Sequence, residues 1–253
     1  MAVKTRKAFG CTITVIKNNV SFHTFTDWKL TITNNNYIGE PEVEQNYLDI
    51  PGRPVPLDYS EALTGKPVYK SRPLHMEMAA VRDCMSWDAE ISTIRNAIHG
   101  QKVKITFDND KSHYWQGRIY LKEYDREKTV GRFDLDVPVA DAYKYELTSS
   151  QEPWLWDPFD FEHDVIRYIG TLEITDSYIL DIPKGDMPTV PVINVTAITS
   201  NTLTVKSNSN NKTYTLTTGR NRFPDLFVNG ASNVRLTFTG SGTVKVDYRG
   251  GSL

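Results

Sequence analysis

Two pairs of acidic side chains are the first candidates for chemistry in this sequence. Asp134 and Asp136 are two residues apart, as are Asp160 and Glu162. Alternate side chains of a β-strand point to one face, so each pair could place two carboxylates side by side. Paired carboxylates are the machinery of glycoside hydrolysis. The polar face of a half-exposed strand, or a solvated linker, explains the same residues without catalysis, and we favour that interpretation.

The other reactive side chains form no known catalytic or metal-binding motif. The five histidines show no HxH, HxxxH or HExxH spacing, so a zinc site would lack its ligands. The GxSxG, GxGxxG and GxxxxGK[ST] sequences are absent, which argues against a nucleophile elbow and against phosphate-binding loops. His99 precedes Gly100, and we expect its charge to complement a helix C-terminus. The sequence predicts no enzyme, no cofactor and no metal.

The cysteine content and the overall charge exclude further classes. Cys11 and Cys84 have no CxxC spacing, so we expect two reduced, buried thiols. Lys and Arg total 29 against 31 Asp and Glu, so the basic excess typical of nucleic-acid binding is absent. No apolar run has the length of a signal peptide or of a membrane span. We expect a protein made in the cytoplasm, without a membrane segment.

The elements that position these residues are mostly strands in the first part of the chain. Alternating apolar and polar residues predict strands at 12–16, 28–32, 103–107, 114–121 and 132–137. One helix is predicted over residues 87–98, because four apolar side chains share a face and Gly100 follows as a cap: Trp87, Ile91, Ile94 and Ile98. This pattern predicts an α+β domain in which a helix covers a sheet.

The second part of the chain has the pattern of a β-sandwich. Short strands separated by turn residues are predicted at 165–169, 178–182, 190–198, 202–206, 213–217, 234–238 and 243–248. A join rich in proline and tryptophan, residues 151–162, precedes them and predicts a domain boundary. We therefore expect two domains, 1–150 and 151–253, in a mainly β protein.

Residues 47–78 carry a family resemblance, together with several segments on either side. They contain the turn Ile50-Pro51-Gly52-Arg53, the sequence Leu57-Asp58-Tyr59 and a strand that begins near Arg72. Before them comes Phe25-Thr26-Asp27-Trp28, and after them come the predicted helix, the strand around Trp115-Gln116-Gly117-Arg118 and the close of the chain at 241–253. In this order, the segments resemble the distal tail proteins of long-tailed, non-contractile bacteriophages.

The resemblance implies a structural role in the virion. It implies an N-terminal domain that closes into a homo-hexameric ring and a galectin-like or carbohydrate-module-like sandwich at the periphery. It also implies a tail tube protein on one side, a tail-associated hub or tip protein on the other, and docking of a baseplate or receptor-binding assembly. The ring would serve host adsorption and leave an open channel for DNA during genome ejection. The chain looks like the compact form, without an arm insertion in the sandwich.

Contact residues follow from the resemblance and from turn chemistry. Proline fixes φ and glycine permits a positive φ, so the Pro51-Gly52 turn is rigid enough to touch a neighbour without a core of its own. We expect inter-subunit contacts at Ile50, Pro51, Gly52, Arg53, Leu57, Asp58, Tyr59 and Arg72. We expect the aromatic join to contact a carbohydrate or a partner through Trp154 and Trp156.

Two alternatives remain open at this point. The sandwich could be a carbohydrate-binding module for host cell-wall glycan, because sugar sites stack on exposed aromatic rings; the candidates besides the two tryptophans are Tyr168, Tyr178, Tyr214 and Tyr248. Tyrosine at alternating strand positions is also typical of core packing. The protein could also be a β-rich ring subunit of another system, such as a secretion system. Only the family resemblance favours the phage tail over this alternative.

Overall fold

The fold is mainly β, as the sequence predicts. A computed structural model describes residues 9–62, 65–81, 87–126, 130–153, 162, 165–228 and 232–253. Twenty strands and two helices lie within these residues. The chain divides into two compact units. Unit 1 comprises Met1–Asn109 and Trp115–Ala142, and unit 2 comprises Asp110–Tyr114 and Tyr143–Leu253.

Unit 1 contains both helices and the first ten strands, one of which begins in unit 2. The strands are β1 Cys11–Val15, β2 Val20–His23, β3 Thr31–Ile38, β4 Tyr47–Leu48, β5 Leu57–Asp58, β6 Arg72–Val81, β7 Lys102–Phe107, β8 Asp110–Arg118, β9 Tyr120–Arg126 and β10 Val130–Ala140. The helices are α1 Thr24–Trp28 and α2 Trp87–Ile98. Strand β8 passes through both units, since its first five residues belong to unit 2.

The main sheet of unit 1 has the strand order β2-β1-β7-β8-β10-β6-β3. Strand β1 pairs antiparallel with β2 and β7, and β10 pairs antiparallel with β6, β8 and β9. Alternate residues of β1, β6 and β10 are buried in one core, so these strands show a period of two. The order leaves β2 and β3 as its two end strands.

Helix α2 covers this core and has the bounds that the sequence predicts. Ile91, Ile94 and Ile98 are each at most 2 % exposed. These positions share one face of a helix, and their burial anchors α2 to the sheet. Gly100 has φ of +72°, the left-handed conformation that ends a helix and that glycine adopts without strain. The predicted helix and its cap are therefore confirmed.

Gly117 allows two strands of unit 1 to approach each other closely. A Cβ at this position would overlap a side-chain methyl of Val137 and would lie 3.0 Å from the backbone oxygen of Val139. The pairing of Ala140 with Gly117 joins β10 to β8 at this point. A larger residue would push the two strands apart, which explains why the Trp-Gln-Gly-Arg strand needs its glycine.

Two predictions for unit 1 were wrong in detail. The strand predicted at 28–32 is replaced by α1, followed by β3 from Thr31. His23 accounts for the helix, because its Nδ1 accepts the N–H of Thr26 in the manner of an N-cap. His99 does not act as a cation at the end of α2, since its Nδ1 accepts the N–H of Leu121 at 3.0 Å. That lone pair is unavailable in a doubly protonated ring.

Unit 2 is a sandwich of two four-stranded sheets. Its further strands are β11 Lys144–Glu146, β12 Thr171–Ile174, β13 Ser177–Ile182, β14 Val192–Ile198, β15 Thr204–Ser207, β16 Thr213–Thr215, β17 Gly219–Arg222, β18 Val234–Thr239, β19 Gly242–Asp247 and β20 Gly251–Ser252. The sheets have the orders β12-β19-β14-β17 and β13-β18-β15-β16 and enclose one apolar core. The predicted sandwich is confirmed.

Some strands of unit 2 were not predicted, and one prediction was wrong. Residues 165–169 form no strand, although they alternate, and β12 begins only at Thr171 after Gly170, which has φ of +70°. Strand β17 was missed because its sequence, Gly-Arg-Asn-Arg, is polar. It is held by the buried Asn221, whose side chain donates to three backbone carbonyls: those of Ile193, Thr217 and Gly219.

A buried ion pair in unit 2 packs beside Gly250, just before β20. Arg167 is 7 % exposed, and its Nε donates to both carboxylate oxygens of Glu146 at 2.8 and 2.9 Å. Its Nη1 donates to the carbonyl oxygens of Pro183 and Lys184. A Cβ at Gly250 would overlap both members of the pair, so only glycine fits beside it. The pair is therefore part of the packing of β11 and β20.

Candidate assembly surface

Residues 39–71 are here called the arm; this segment of unit 1 is distinct from the arm insertion in the sandwich mentioned above. Its described residues contribute nothing to the core of unit 1. The arm joins β3 to β6, and none of its described residues is buried. Leu63 and Thr64 lie outside the described residues. The arm has two short paired strands, β4 and β5, with Tyr47 opposite Asp58. An isolated two-stranded hairpin is only marginally stable in water, so this segment gains little from its own structure.

Backbone hydrogen bonds give the arm its shape. At its base Glu44 N–H donates to Val68 O and Lys70 N–H donates to Glu42 O, at 2.7 and 2.8 Å. Next to the paired strands, Tyr59 N–H donates to the backbone oxygen of Asn46 at 2.7 Å. The arm is therefore an antiparallel ladder of backbone bonds, and its side chains remain at the surface.

The predicted Pro-Gly turn closes the segment between β4 and β5. Arg53 N–H donates to Ile50 O at 3.0 Å, which closes a four-residue turn. Gly52 has φ of +85°, as the third residue of a type II turn requires, and Pro51 has the fixed φ preferred at the second. A Cβ on Gly52 would meet nothing within 4 Å, so the glycine serves the backbone conformation and not the packing.

Seven of the eight predicted contact residues lie together on the arm. Ile50, Pro51, Gly52, Arg53, Asp58 and Tyr59 are exposed, and Leu57 is half-buried. Asp58 accepts the N–H of Ser60 at 2.9 Å, and hydrogen bonds from the side chain and backbone of Ser60 lower the pKa of this carboxyl. Side chains that are held in place but not covered are available to a partner. Whether they touch one stays a prediction.

Arg72, the eighth residue, is in a different environment. Its side chain is 6 % exposed, and its guanidinium carbon lies 4.3 Å from the ring centre of Trp115, a cation–π contact within unit 1. Burial lowers the pKa of Arg72, and the charge of Glu40 opposes that effect. Because so little of the side chain is accessible, we leave Arg72 out of the contact surface proposed below.

Large apolar side chains add to this surface, and the sequence reasoning missed most of them. Tyr47 is 58 % exposed, Leu48 50 % and Val55 63 %. Val68 is also exposed, although less. A run of exposed apolar residues is typical of a docking site and is unfavourable on an isolated subunit. The sequence did contain a sign that these side chains are exposed. In this segment apolar residues alternate with prolines and turns, and such a segment cannot form a core of its own.

The carboxylates of β10 have structural partners. Asp136 Oδ1 lies 2.6 Å from Nδ1 of His75, and Asp136 also pairs with Lys122 at 3.7 Å. Burial raises the pKa of Asp134, as do the nearby charges of Asp136 and Glu77. Both side chains lie on the face of β10 opposite its buried residues, and Asp136 bonds to β6 and β9. The interpretation as a polar strand face fits them. Of the second pair, Asp160 lies outside the described residues, and Glu162 is exposed.

Ser112, His113 and Asp110 have the residue types of a catalytic triad, yet their geometry is unsuitable. Ser112 Oγ lies 2.9 Å from Nδ1 of His113, and Asp110 Oδ1 lies 2.9 Å from the same nitrogen. A triad needs the carboxylate on one ring nitrogen and the nucleophile on the other. Lys144 also donates to Asp110 at 2.6 Å. The group is a local hydrogen-bond network of unit 2.

The aromatic residues predicted as possible carbohydrate contacts lie in different environments. Tyr248 is 4 % exposed, and Tyr214 stacks on Phe223 with the ring centres 4.3 Å apart, so both belong to the packing of unit 2. Tyr168 and Tyr178 are exposed. Trp154 and Trp156, the predicted partner contacts, lie outside the described residues.

The remaining expectations concern metal binding, membrane spans and the cysteines. No group of three or more His, Cys, Asp or Glu side chains is placed to hold a metal ion in the part of the chain that the structure describes. Within the same residues, neither helix is long and apolar enough to span a bilayer. Cys11 is a buried free thiol, and burial raises its pKa far above the usual range, with Asp108 adding to the effect.

A two-unit chain of this kind, with a helix-covered sheet and a β-sandwich, has the fold of a phage distal tail protein. The SPP1 Dit protein matches it with a TM-score of 0.56 over 96 % of this chain and 99 % of the other, at 13 % sequence identity. That crystal structure is described as a paradigm of the hub adsorption apparatus in phages that infect Gram-positive bacteria. The predicted resemblance is thereby confirmed at the level of the fold.

Comparisons of sequence gave no match. No protein-family model matches the chain, and no curated protein matches it. At 13 % identity side chains diverge while backbone architecture persists, so only the arrangement of elements connects the two proteins. The function must be argued from the fold together with the surfaces of this chain.

Proposed function

We propose that this chain is a structural subunit of a bacteriophage tail and acts as the hub at its distal end. The observation that carries the proposal is the match to the SPP1 Dit protein along nearly the whole length of both chains. That protein is described as a paradigm of a hub adsorption apparatus. A match over both units is stronger than a match of one β-sandwich, since sandwiches occur in many unrelated proteins.

In the proposed assembly, six copies close into a ring through unit 1. A ring is built from head-to-tail contacts that repeat around an axis, so one modest surface is used six times. The arm supplies such a surface, with the exposed Ile50, Pro51, Gly52, Arg53, Asp58 and Tyr59 and the half-buried Leu57. Its exposed apolar side chains would be removed from water by the neighbouring subunit.

The ring joins the tail tube to the tip or baseplate and remains open along its axis. The tail tube protein binds on one side and a tail-associated hub protein on the other, while unit 2 lies at the periphery, where receptor-binding assemblies attach. DNA passes through the channel during ejection without specific binding. We expect polar or acidic side chains around the channel, because lysine and arginine would bind phosphates and retard the DNA.

The mass of the protein in solution tests the proposal. Six copies of the 28.8 kDa chain have a mass of about 173 kDa. Multi-angle light scattering at two concentrations, with negative-stain images of the same sample, should show this species as rings with a central hole. Smaller species that convert to the ring when a tail tube protein is added would also support the proposal. A monomer that does not respond to concentration or to a tube protein would contradict it.

A further inference from the structure

The described part of the chain contains two buried arginines, one in each unit. Arg72 is 6 % exposed and Arg167 is 7 % exposed. Both guanidinium groups lie over an aromatic ring, that of Trp115 at 4.3 Å for Arg72. For Arg167 the ring is that of Tyr248, at 5.9 Å. The two arginines differ in their counter-charge, because the Nε of Arg167 also donates to both carboxylate oxygens of Glu146.

The guanidinium of Arg72 has few hydrogen bonds. Its Nη1 donates to the backbone oxygen of Gly39 over 3.5 Å, which is long for a hydrogen bond. Its Nε is buried and donates to no atom of the described residues. The charge of Glu40 acts on Arg72, but the Glu40 side chain is exposed and makes no ion pair with it in the structure. A buried cation without a carboxylate costs free energy, and the ring of Trp115 offsets part of that cost.

The pKa values of the two arginines reflect this difference. Burial lowers the pKa of Arg72, and the charge of Glu40 opposes only part of that effect. Burial acts in the same direction on Arg167, but the hydrogen bonds and the charge of Glu146 outweigh it and raise the pKa. Arginine is charged at neutral pH in either case. Arg72 therefore carries a buried positive charge that an anion would stabilise.

An anion could reach Arg72 from the surface. Arg72 is the first residue of β6, and its neighbours Ser71 and Pro73 are exposed. On β10, which pairs with this part of β6, Val139 is 65 % exposed. The planar fork of a guanidinium fits a carboxylate through two parallel hydrogen bonds. A doubly charged phosphate would be repelled more strongly than a carboxylate by the nearby Glu40.

We infer that Arg72, held on the ring of Trp115, is a binding site for a carboxylate group. Two sources have this chemistry. Glu40 of the same chain would reach the guanidinium after a change of side-chain conformation. Alternatively, an acidic side chain or a C-terminal carboxylate of another chain would bind there on assembly. The second source rests on the proposed function, whereas the site itself does not.

Replacing each buried arginine tests whether Arg72 lacks a partner. Arg72→Met is made in a Glu40→Gln background and compared with Glu40→Gln alone, in dilute solution where light scattering shows monomers. We expect an equal or higher urea midpoint, because a poorly paired buried cation is removed. Arg167→Met is the matched control and should lower the midpoint, since it leaves Glu146 without its counter-charge. Equal decreases for the two replacements would show that the ring alone satisfies Arg72, and would overturn the inference.

Sodium acetate is the probe for carboxylate binding, with sodium chloride of equal ionic strength as the reference. A ligand that binds only the folded chain raises its Tm. We expect acetate to raise the Tm of Glu40→Gln by about 2 °C more than that of the same chain with Arg72→Met. The absence of this Arg72-dependent difference would overturn the inference. A larger Arg72-dependent rise in sodium phosphate would overturn the assignment to a carboxylate.

Two further measurements identify the source of the carboxylate. If Glu40 supplies it, the wild-type chain should respond less to acetate than Glu40→Gln, because Glu40 competes with the probe. If another copy supplies it, the two should respond alike, and Arg72→Met should raise the dissociation constant of assembly about tenfold. Arg235→Met, at an exposed site of unit 2, is the control for assembly. Equal responses with unchanged assembly would assign the carboxylate to a different tail protein.

The acetate measurement also separates this inference from the proposed function. It is made on the monomer, so a chain that forms no ring would contradict the hub function and leave the carboxylate site standing. A chain that forms rings but shows no Arg72-dependent response to acetate would have the opposite meaning.

Discussion

The arm of unit 1 and the sandwich of unit 2 place similar side chains in opposite environments. In the sandwich, Leu236 and Phe238 have no exposed surface. In the arm, Tyr47 and Leu48 are at least half exposed. The free energy of burying an apolar side chain is therefore gained within the chain in one region, and is still available for association in the other. We therefore expect substitutions in the sandwich to act on folding and substitutions in the arm to act on association.

Hydrogen bonding shows the same contrast. In the sandwich, the buried side chain of Asn221 and the buried Arg167–Glu146 pair find their partners within unit 2. The arm has a ladder of backbone bonds and turns, but its acidic side chains remain exposed. A substitution in the sandwich should therefore change stability, and one in the arm should change assembly. The predictions below test that division.

Truncating the sandwich core should have the largest effect on stability. Phe238→Ala removes one of the largest fully buried side chains and leaves a cavity, so we expect a loss of about 3–5 kcal/mol in the free energy of unfolding. Tyr47→Ala removes a similar ring from the arm, where it is 58 % exposed, and should change stability by less than about 0.5 kcal/mol. Denaturant unfolding measures both, and light scattering should show weakened assembly for Tyr47→Ala alone. Equal losses of stability would remove the distinction between the regions.

Breaking the buried ion pair should cost somewhat less. Glu146→Gln leaves the guanidinium of Arg167 buried without its counter-charge, and we expect a loss of about 3 kcal/mol. Asp181→Asn is the matched control, because Asp181 also binds an arginine, Arg235, through two bonds at 2.7 and 3.2 Å, but at an exposed site. Calorimetry should show a lower Tm for Glu146→Gln and an unchanged one for Asp181→Asn. A lower Tm for the control would mean that burial is not what matters.

The sequence was sufficient for the elements whose pattern is local. Helix α2 was predicted at its observed bounds, because four apolar residues and a capping glycine lie within fifteen residues. Strands with clear alternation, such as β1 and β18, were found as well. Strand β17 was missed because contacts distant in the sequence stabilise it, namely pairing with β14 and the bonds of Asn221. Residues 165–169 alternate, but no strand pairs with them in the described structure.

The candidate site could be predicted as a segment but not as a surface. The Pro51-Gly52 turn is encoded locally, so it was found with its correct conformation. Arg72 was grouped with it because the two are close in sequence, whereas its burial depends on Trp115, more than forty residues away.

A change in the turn of the arm should affect assembly more than folding. Gly52→Ala forces a left-handed φ on a residue with a Cβ, which costs about 1–2 kcal/mol, although the added methyl meets no other atom. If the turn presents the contact residues, the dissociation constant of assembly should rise about fivefold to thirtyfold. Gln45→Ala, also exposed on the arm but outside the turn, is the control. Light scattering over a dilution series measures both, and identical curves would show that the turn is not part of the contact.

Lowering the pH should have the smallest effect on stability, and this effect should again differ between the sandwich and the arm. Burial would raise the pKa of Asp110 in unit 2, but hydrogen bonds from His113 and Lys144 outweigh it and hold this pKa well below its ordinary value of 3.8. A carboxyl with a lowered pKa stabilises the folded state above its ordinary pKa and loses that contribution as the pH falls through the lower one. The wild-type unit 2 should therefore lose stability below about pH 4, and Asp110→Asn should flatten this dependence. The pKa of Asp58 in the arm is also lowered, but through Ser60 at an exposed site, so Asp58→Asn should leave the acid unfolding of unit 2 unchanged. Unfolding curves between pH 2.5 and pH 6 compare the variants, and an equal flattening by both would refute the assignment of the acid sensitivity to the sandwich.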